Sequence, residues 1–216
     1  MTHLDKDKIW IWGVSRKKPD AIAELMRLVG IDPSSGLRLQ FAARIDELAV
    51  ERLPRRRAGF AGSHTVLQFG AVDLAVLAGG LVVRARERGI LFKEVVIEDH
   101  GVGPNDPAMP NNPTGTFLFF GGDGVSLQTI ARHSSRFQLM RQAMAPDARL
   151  VLMHCWAFSD GGKLALEISR LIDRPVVGMN GYQIVDDQKI QGPIFQAYRG
   201  RVSIRQGMSP WIVNFD

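Results

Sequence analysis

The chain has 216 residues, 45% of them apolar, enough to bury one sizeable core, and its 27 Lys and Arg exceed its 22 Asp and Glu for a net charge of +5. No apolar run reaches the ~20 residues that a membrane span requires, and the polar stretch Met1–Lys8 lacks the apolar segment of a secretory signal. A single cysteine excludes an internal disulfide and suits a reducing compartment, so a cytoplasmic protein with no membrane contact is expected.

The basic excess is local. Arg52, Arg55, Arg56 and Arg57 crowd one segment, and Arg199, Arg201 and Arg205 another. Such clusters make an anionic partner a candidate. Solvated loops are the simpler reading, because no aromatic residues interleave with the arginines as they do in single-strand-binding platforms.

In chain order, Lys8–Trp12 alternates like a strand. Asp20–Val29 carries a helical stripe of Ile22, Leu25, Met26 and Val29, stopped by Gly30. Residues 31–62 give only a helix around Phe41–Val50, then the Leu53-Pro54 and arginine segment. Thr65–Phe69 is a short apolar run. Ala71–Arg88 is a long helical one, with Val72, Val76, Gly79 and Val83 on one face, an apolar stripe of the kind that faces a core, and Gly89 ends it. Leu91–Ile97 is apolar on both faces, as covered parallel strands are. A loop rich in Gly, Pro and Asn follows from Val102 to Gly115; loops of that length are usually functional or mobile.

Thr116–Phe120 reads as a short strand leading into the turn Gly121-Gly122-Asp123-Gly124. A helix is predicted over Ser126–Ala145, with Leu127, Ile130, Phe137, Met140 and Met144 inward and Pro146 as its stop. Arg149–His154 is a strand, Gly161-Gly162 opens a helix to Ile172, and Pro175–Met179 is a further strand. Tyr182–Asp216 reads as hairpins with turns at Asp186-Asp187, Gly192-Pro193 and Arg199-Gly200. Strands alternating with helices argue an α/β fold with a largely parallel sheet.

Two stretches are built alike. Val95-Val96-Ile97-Glu98-Asp99 ends in His100-Gly101, and Leu150-Val151-Leu152-Met153-His154 ends in Cys155. Sites in parallel sheets form at the carboxyl ends of strands. If the two strands are neighbours, His100 and Cys155 can meet. An imidazole beside a thiol raises its thiolate fraction and later protonates a leaving amine. Gly101 N–H and Cys155 N–H are the candidate oxyanion donors, since a glycine lets a backbone amide approach without a Cβ. His154 is a poor base, because successive strand side chains face opposite ways. His64 is a spare; His3 and His133 read as surface residues. A lone cysteine on an apolar strand is most often an inert core residue; the joint pattern is what argues for chemistry.

That pattern resembles the caspase-like clan of cysteine peptidases, whose signature is an apolar strand ending in His-Gly and a later one ending in a small or polar residue plus Cys. Clan members place a small hairpin with a glycine-rich turn, then a helix, between the motifs, and Phe117–Leu127 reads that way. The stretch Ser159-Asp160-Gly161-Gly162, the helix after it and Arg174-Pro175-Val176-Val177-Gly178 are most similar to bacterial members. The resemblance covers residues 65–180. It implies a caspase-like three-layer sandwich, with a mostly parallel central sheet flanked by helices, formed by 1–216 as a single domain. Residues 1–62 would be an N-terminal extension and 181–216 C-terminal hairpins. It implies a cysteine endopeptidase acting on a peptide or protein through a thioester, with His100 as base and acid, Cys155 as nucleophile and Gly101 in the oxyanion hole, and without cofactor or metal.

His154 and Trp156 depart from the family's flanking residues, Trp156 being either a wall of the pocket or core. Asp99 and Asp160 are the candidate acids of a pocket for Arg or Lys, with surface carboxylates the simpler reading. Arg specificity would make Arg55-Arg56-Arg57 a self-cleavage site. Two alternatives stay open. One is a catalytically silent scaffold of the same fold. The other is a nucleotide kinase, because Gly121-Gly122-Asp123-Gly124 and Pro175-Val176-Val177-Gly178-Met179-Asn180-Gly181 also resemble phosphate-binding motifs of NAD and diacylglycerol kinases. Val125 stands where those kinases have Thr or Ser, and the second motif is farther along the chain than they place it.

Overall fold

The structure, a computed structural model, describes residues 8–13, 67–71, 73–104, 115–180, 185–186, 189–190 and 194–205. The helices predicted over Asp20–Val29 and Phe41–Val50, the arginines Arg52–Arg57, and His3 and His64 lie outside the described residues, as does the turn at Gly192-Pro193.

The architecture is mixed α/β. Strands β1 (Lys8–Gly13), β2 (Leu67–Ala71), β3 (Phe92–Glu98), β7 (Met144–Met153) and β8 (Val176–Met179) join the hairpin β11 (Ile194–Tyr198) and β12 (Arg201–Arg205) in one sheet, ordered β12-β11-β8-β7-β3-β1-β2. Pairing is parallel from β8 to β2 and antiparallel at β11 and β12. A separate small sheet holds β4 (Gly101–Val102), β5 (Phe117–Phe120) and β6 (Asp123–Val125), and β9 (Val185–Asp186) pairs with β10 (Lys189–Ile190).

The apolar strands run in register across the sheet. Val95, Leu150 and Val176 align on one face, and Val96, Val151 and Val177 on the other, all buried. Burial on both faces is why these segments lack alternation.

Helices α1 (Leu74–Arg88), α2 (Ile130–Arg141) and α3 (Lys163–Ile172) follow β2, β6 and β7. Each belongs to a crossover stepping the same way across the sheet, from β2 to β3, β3 to β7 and β7 to β8. Right-handed crossovers in one direction place their helices on one face, and α2 packs between α1 and α3.

Three expectations need correction. In α1 the inner face is Leu74, Leu77, Ala78, Leu81, Val82 and Ala85, while Val76 and Val83 are about half exposed. The helix offers two apolar stripes, and the larger leucine side chains win the core. Val83→Lys is therefore expected to change stability by no more than about 0.5 kcal/mol, whereas Leu81→Ala costs about 2–5 kcal/mol; urea unfolding of the two variants checks the assignment.

The second correction concerns α2, which stops at Arg141 instead of Ala145 and leaves Leu127 partly exposed before it starts. Met144 is buried as expected, but in a strand. Strand β7 pairs Met144 with Phe92, then shifts register so that Arg149 meets Glu94. The extra residues bulge outward with Pro146 and Asp147 exposed. Arg174, itself buried, donates from Nε to the Ala145 carbonyl at 2.5 Å and from Nη2 to the Met144 carbonyl at 3.5 Å. Those bonds satisfy carbonyls at the bulge, where Pro146 lacks the N–H that a continuing helix would need.

The third is His133, expected at the surface. It is buried on α2, its Nδ1 2.8 Å from Arg136 Nη1.

Candidate active site

Strands β3 and β7 are parallel neighbours in register up to Glu98 and Met153. The Asp99 N–H continues the ladder to the Met153 carbonyl at 3.4 Å. One step further the two chains carry His100 and Cys155, so both residues leave the sheet at the same carboxyl edge, and both are partly exposed. The edge lies beside the point where strand order reverses, β2 and β3 flanking β1 on opposite sides, which is where open α/β sheets form their crevice.

The closest joint between the motifs is at Gly101. A Cβ on Gly101 would lie 2.0 Å from the Cys155 carbonyl oxygen and 3.0 Å from Leu118 Cδ2. Only glycine fits here, and it fits because the backbone of the cysteine occupies the position of its missing side chain. Gly103 repeats the arrangement two residues on, where a Cβ would lie 2.7 Å from Ser159 Oγ and 2.8 Å from Trp156 Cβ. The chain after His100 thus lies directly against the chain after Cys155.

The hairpin β5–β6 braces both. Phe119 N–H donates to the His100 carbonyl at 2.9 Å, and Gly101 pairs with Leu118 in the next position. Bonded and non-bonded pairs alternate in an antiparallel ladder. A bond from Phe119 to His100 therefore places Gly101 at a non-bonded position of the ladder, so β5 offers no partner to its N–H.

The segment after Cys155 is held in a constrained conformation. Trp156 has φ +61°, a left-handed backbone that is a true outlier for a bulky residue. Its carbonyl accepts from Ser159 N–H at 3.0 Å, Ser159 Oγ at 2.9 Å and Thr116 Oγ1 at 3.2 Å. Thr116 and Ser159 hydroxyls are 3.0 Å apart. This cluster ties the start of β5 to the turn beyond the cysteine. The side chain of Trp156 lies against Gly103, where an added Cβ would meet its Cβ and Cγ at 2.8 Å.

The other predicted site residues divide differently. Asp99 accepts from its neighbour His100 N–H at 2.7 Å and from Gly121 N–H at 2.6 Å. Asp160 accepts from Gly162 N–H at 2.9 Å and Leu164 N–H at 3.0 Å, capping α3. Each carboxylate thus accepts one backbone amide on each oxygen. Asp123 of the glycine-rich turn accepts from Leu74 N–H at 3.0 Å and from Arg136 Nη1 at 3.3 Å, capping α1 across the chain. Gly121 and Gly122 close the hairpin, and Asp123, at the start of β6, holds a helix end.

His154 is fully buried, with Nε2 2.7 Å from the Phe119 carbonyl oxygen and its ring 5.1 Å from that of Phe120. It turns into the molecule beneath the hairpin. Thr116, Ser159 and Gly103 carry no motif that marks them. The one available signal was the pair Gly101 and Gly103 flanking Val102, which indicates backbone packed against backbone.

Among the described residues no three His, Cys, Asp or Glu side chains gather as a metal site would require. A shallow cavity bounded by Val82, Ala85, Arg86, Gly89 and Leu91 lies at the amino end of β3, opposite His100. Comparison with the models of known protein families and with curated proteins returns no match. No helix among the described residues is long and apolar enough to cross a membrane.

Proposed function

We propose that the chain is a cysteine peptidase of caspase-like fold that cuts a peptide bond, in another protein or in its own chain, through a dyad of Cys155 and His100. The observation that carries this reading is the seating of Gly101 on the Cys155 carbonyl at the shared edge of β3 and β7. It makes the His-Gly and Cys segments one unit. The intervening hairpin and helix accord with the resemblance drawn from the sequence.

In this mechanism His100 takes the proton of Cys155 Sγ, and the thiolate attacks the peptide carbonyl carbon. The carbonyl π electrons move to oxygen, which the Gly101 and Cys155 N–H groups stabilise. Collapse breaks the C–N bond, and His100 gives its proton to the departing amine. Water, deprotonated by His100, then cleaves the thioester and restores the thiol. Trp156 walls the site on the side of Gly103.

The test is alkylation by iodoacetamide near neutral pH, with the labelled residue located by mass spectrometry. Wild-type Cys155 is expected to react about tenfold or more faster than in His100→Ala, with a pH profile inflecting below the ~8.5 of an ordinary thiol. Labelling at the rate of a free thiol, or a rate unchanged by His100→Ala, overturns the reading and leaves the silent scaffold.

A further inference from the structure

Resting on the peptidase reading, we propose that His154 is a positioning residue of the dyad, acting through Phe119. A carbonyl oxygen only accepts, so the 2.7 Å contact requires that His154 Nε2 carry a proton and donate it to Phe119. The same Phe119 gives its N–H to the His100 carbonyl at 2.9 Å. One hairpin residue therefore holds both the residue before the nucleophile and the base.

The His100 N–H donates to the Asp99 carboxylate at 2.7 Å, and His154 brings a donor to the Phe119 carbonyl from the neighbouring strand. The tilted contact with the Phe120 ring fixes the imidazole plane. Because the bond spans from β7 to the hairpin at the height of Cys155, it sets where the cysteine lies relative to His100. His154 itself touches no reacting atom.

The experiment compares alkylation of Cys155 in the full chain as wild type, His154→Asn, His154→Gln and His100→Ala, with near-ultraviolet circular dichroism as the check of native packing. A Gln amide nitrogen reaches roughly where imidazole Nε2 lies, whereas that of Asn stops at the position of Nδ1. His154→Asn is expected to slow labelling about tenfold or more, and His154→Gln to restore it, since small misplacements of reacting groups carry large rate penalties. A native His154→Asn protein that labels at the wild-type rate, while His100→Ala is slow, overturns the positioning role alone. If His100→Ala also labels as wild type, the dyad falls and this inference with it. Should His154→Asn fail to fold, the ¹⁵N spectrum of the wild-type ring decides. Protonation at Nε2 is expected, and a ring protonated only at Nδ1 overturns the proposal.

Discussion

Gly101→Ala is expected to destabilise the protein by about 3 kcal/mol or more and to abolish rapid alkylation of Cys155, because a small-to-large change in a packed site costs about 1–3 kcal/mol even without a backbone clash. The added Cβ would lie 2.0 Å from the Cys155 carbonyl oxygen. Neither atom belongs to a flexible side chain, so relief requires moving one of the two backbones. Either movement separates the chain carrying His100 from the chain carrying Cys155. Gly79→Ala is the opposite-sign control. Gly79 lies inside α1 with nothing within 4 Å of an added Cβ, and replacing an unconstrained helical glycine gains about 0.5–1 kcal/mol. Denaturant midpoints for the two variants, read with the alkylation rate, separate steric conflict at the joint from the general effect of removing a glycine. A Gly101→Ala protein of wild-type stability and reactivity would mean that the two motifs are not packed as described.

The strands that carry the motifs were legible because their chemistry is local. Val95–Ile97 and Leu150–Met153 are apolar on both faces, which only a covered parallel strand tolerates for long, and each ends where polar residues begin. The hairpin was legible from four phenylalanine and leucine positions ahead of two glycines. What failed was information held by tertiary partners. Nothing near Met144 in the sequence says that Arg174 will bind the Ala145 carbonyl, so helical spacing was carried past the true end of α2. Within the helix, Val76, Gly79 and Val83 make as good a pattern as Leu74, Leu77 and Leu81, and only the position of the sheet distinguishes them. That Asp99 and Asp160 accept from the amides of Gly121 and Leu164 is likewise set by the fold. For His154 the period of two placed the ring away from Cys155, but the partner carbonyl comes from the hairpin, which spacing along its own strand does not show.

Arg149→Ala is the second change with a large expected effect, and it acts at a distance from the dyad through register. Glu94 is 4% exposed on β3, and its carboxylate is met by Arg149 on β7, whose Nε donates at 2.5 Å and whose Nη2 closes the ion pair. This pair is the first after the register shift; every pairing up to Glu98 and Met153 is counted from it. Removing the guanidinium leaves a buried carboxylate without its cation, at a cost of about 3 kcal/mol. The apolar rows above it resist a slip, since displacement by one residue would turn Leu150 and Leu152 to the wrong face. The expected result is therefore a large fall in the urea midpoint with Cys155 alkylation retained in the folded protein. The double variant Glu94→Gln with Arg149→Ala recovers part of the loss, because the stranded charge is gone. Asp99→Ala is expected to lower both stability and reactivity. It forfeits two charge-assisted bonds from backbone amides, at about 1.5–3 kcal/mol each at most, and those bonds hold His100 to the Gly121 turn. Alkylation of the folded protein then falls together with the urea midpoint. A protein in which Arg149→Ala slows the thiol as much as Asp99→Ala does would show that the dyad geometry depends on strand register as a whole and not on the hairpin that braces it.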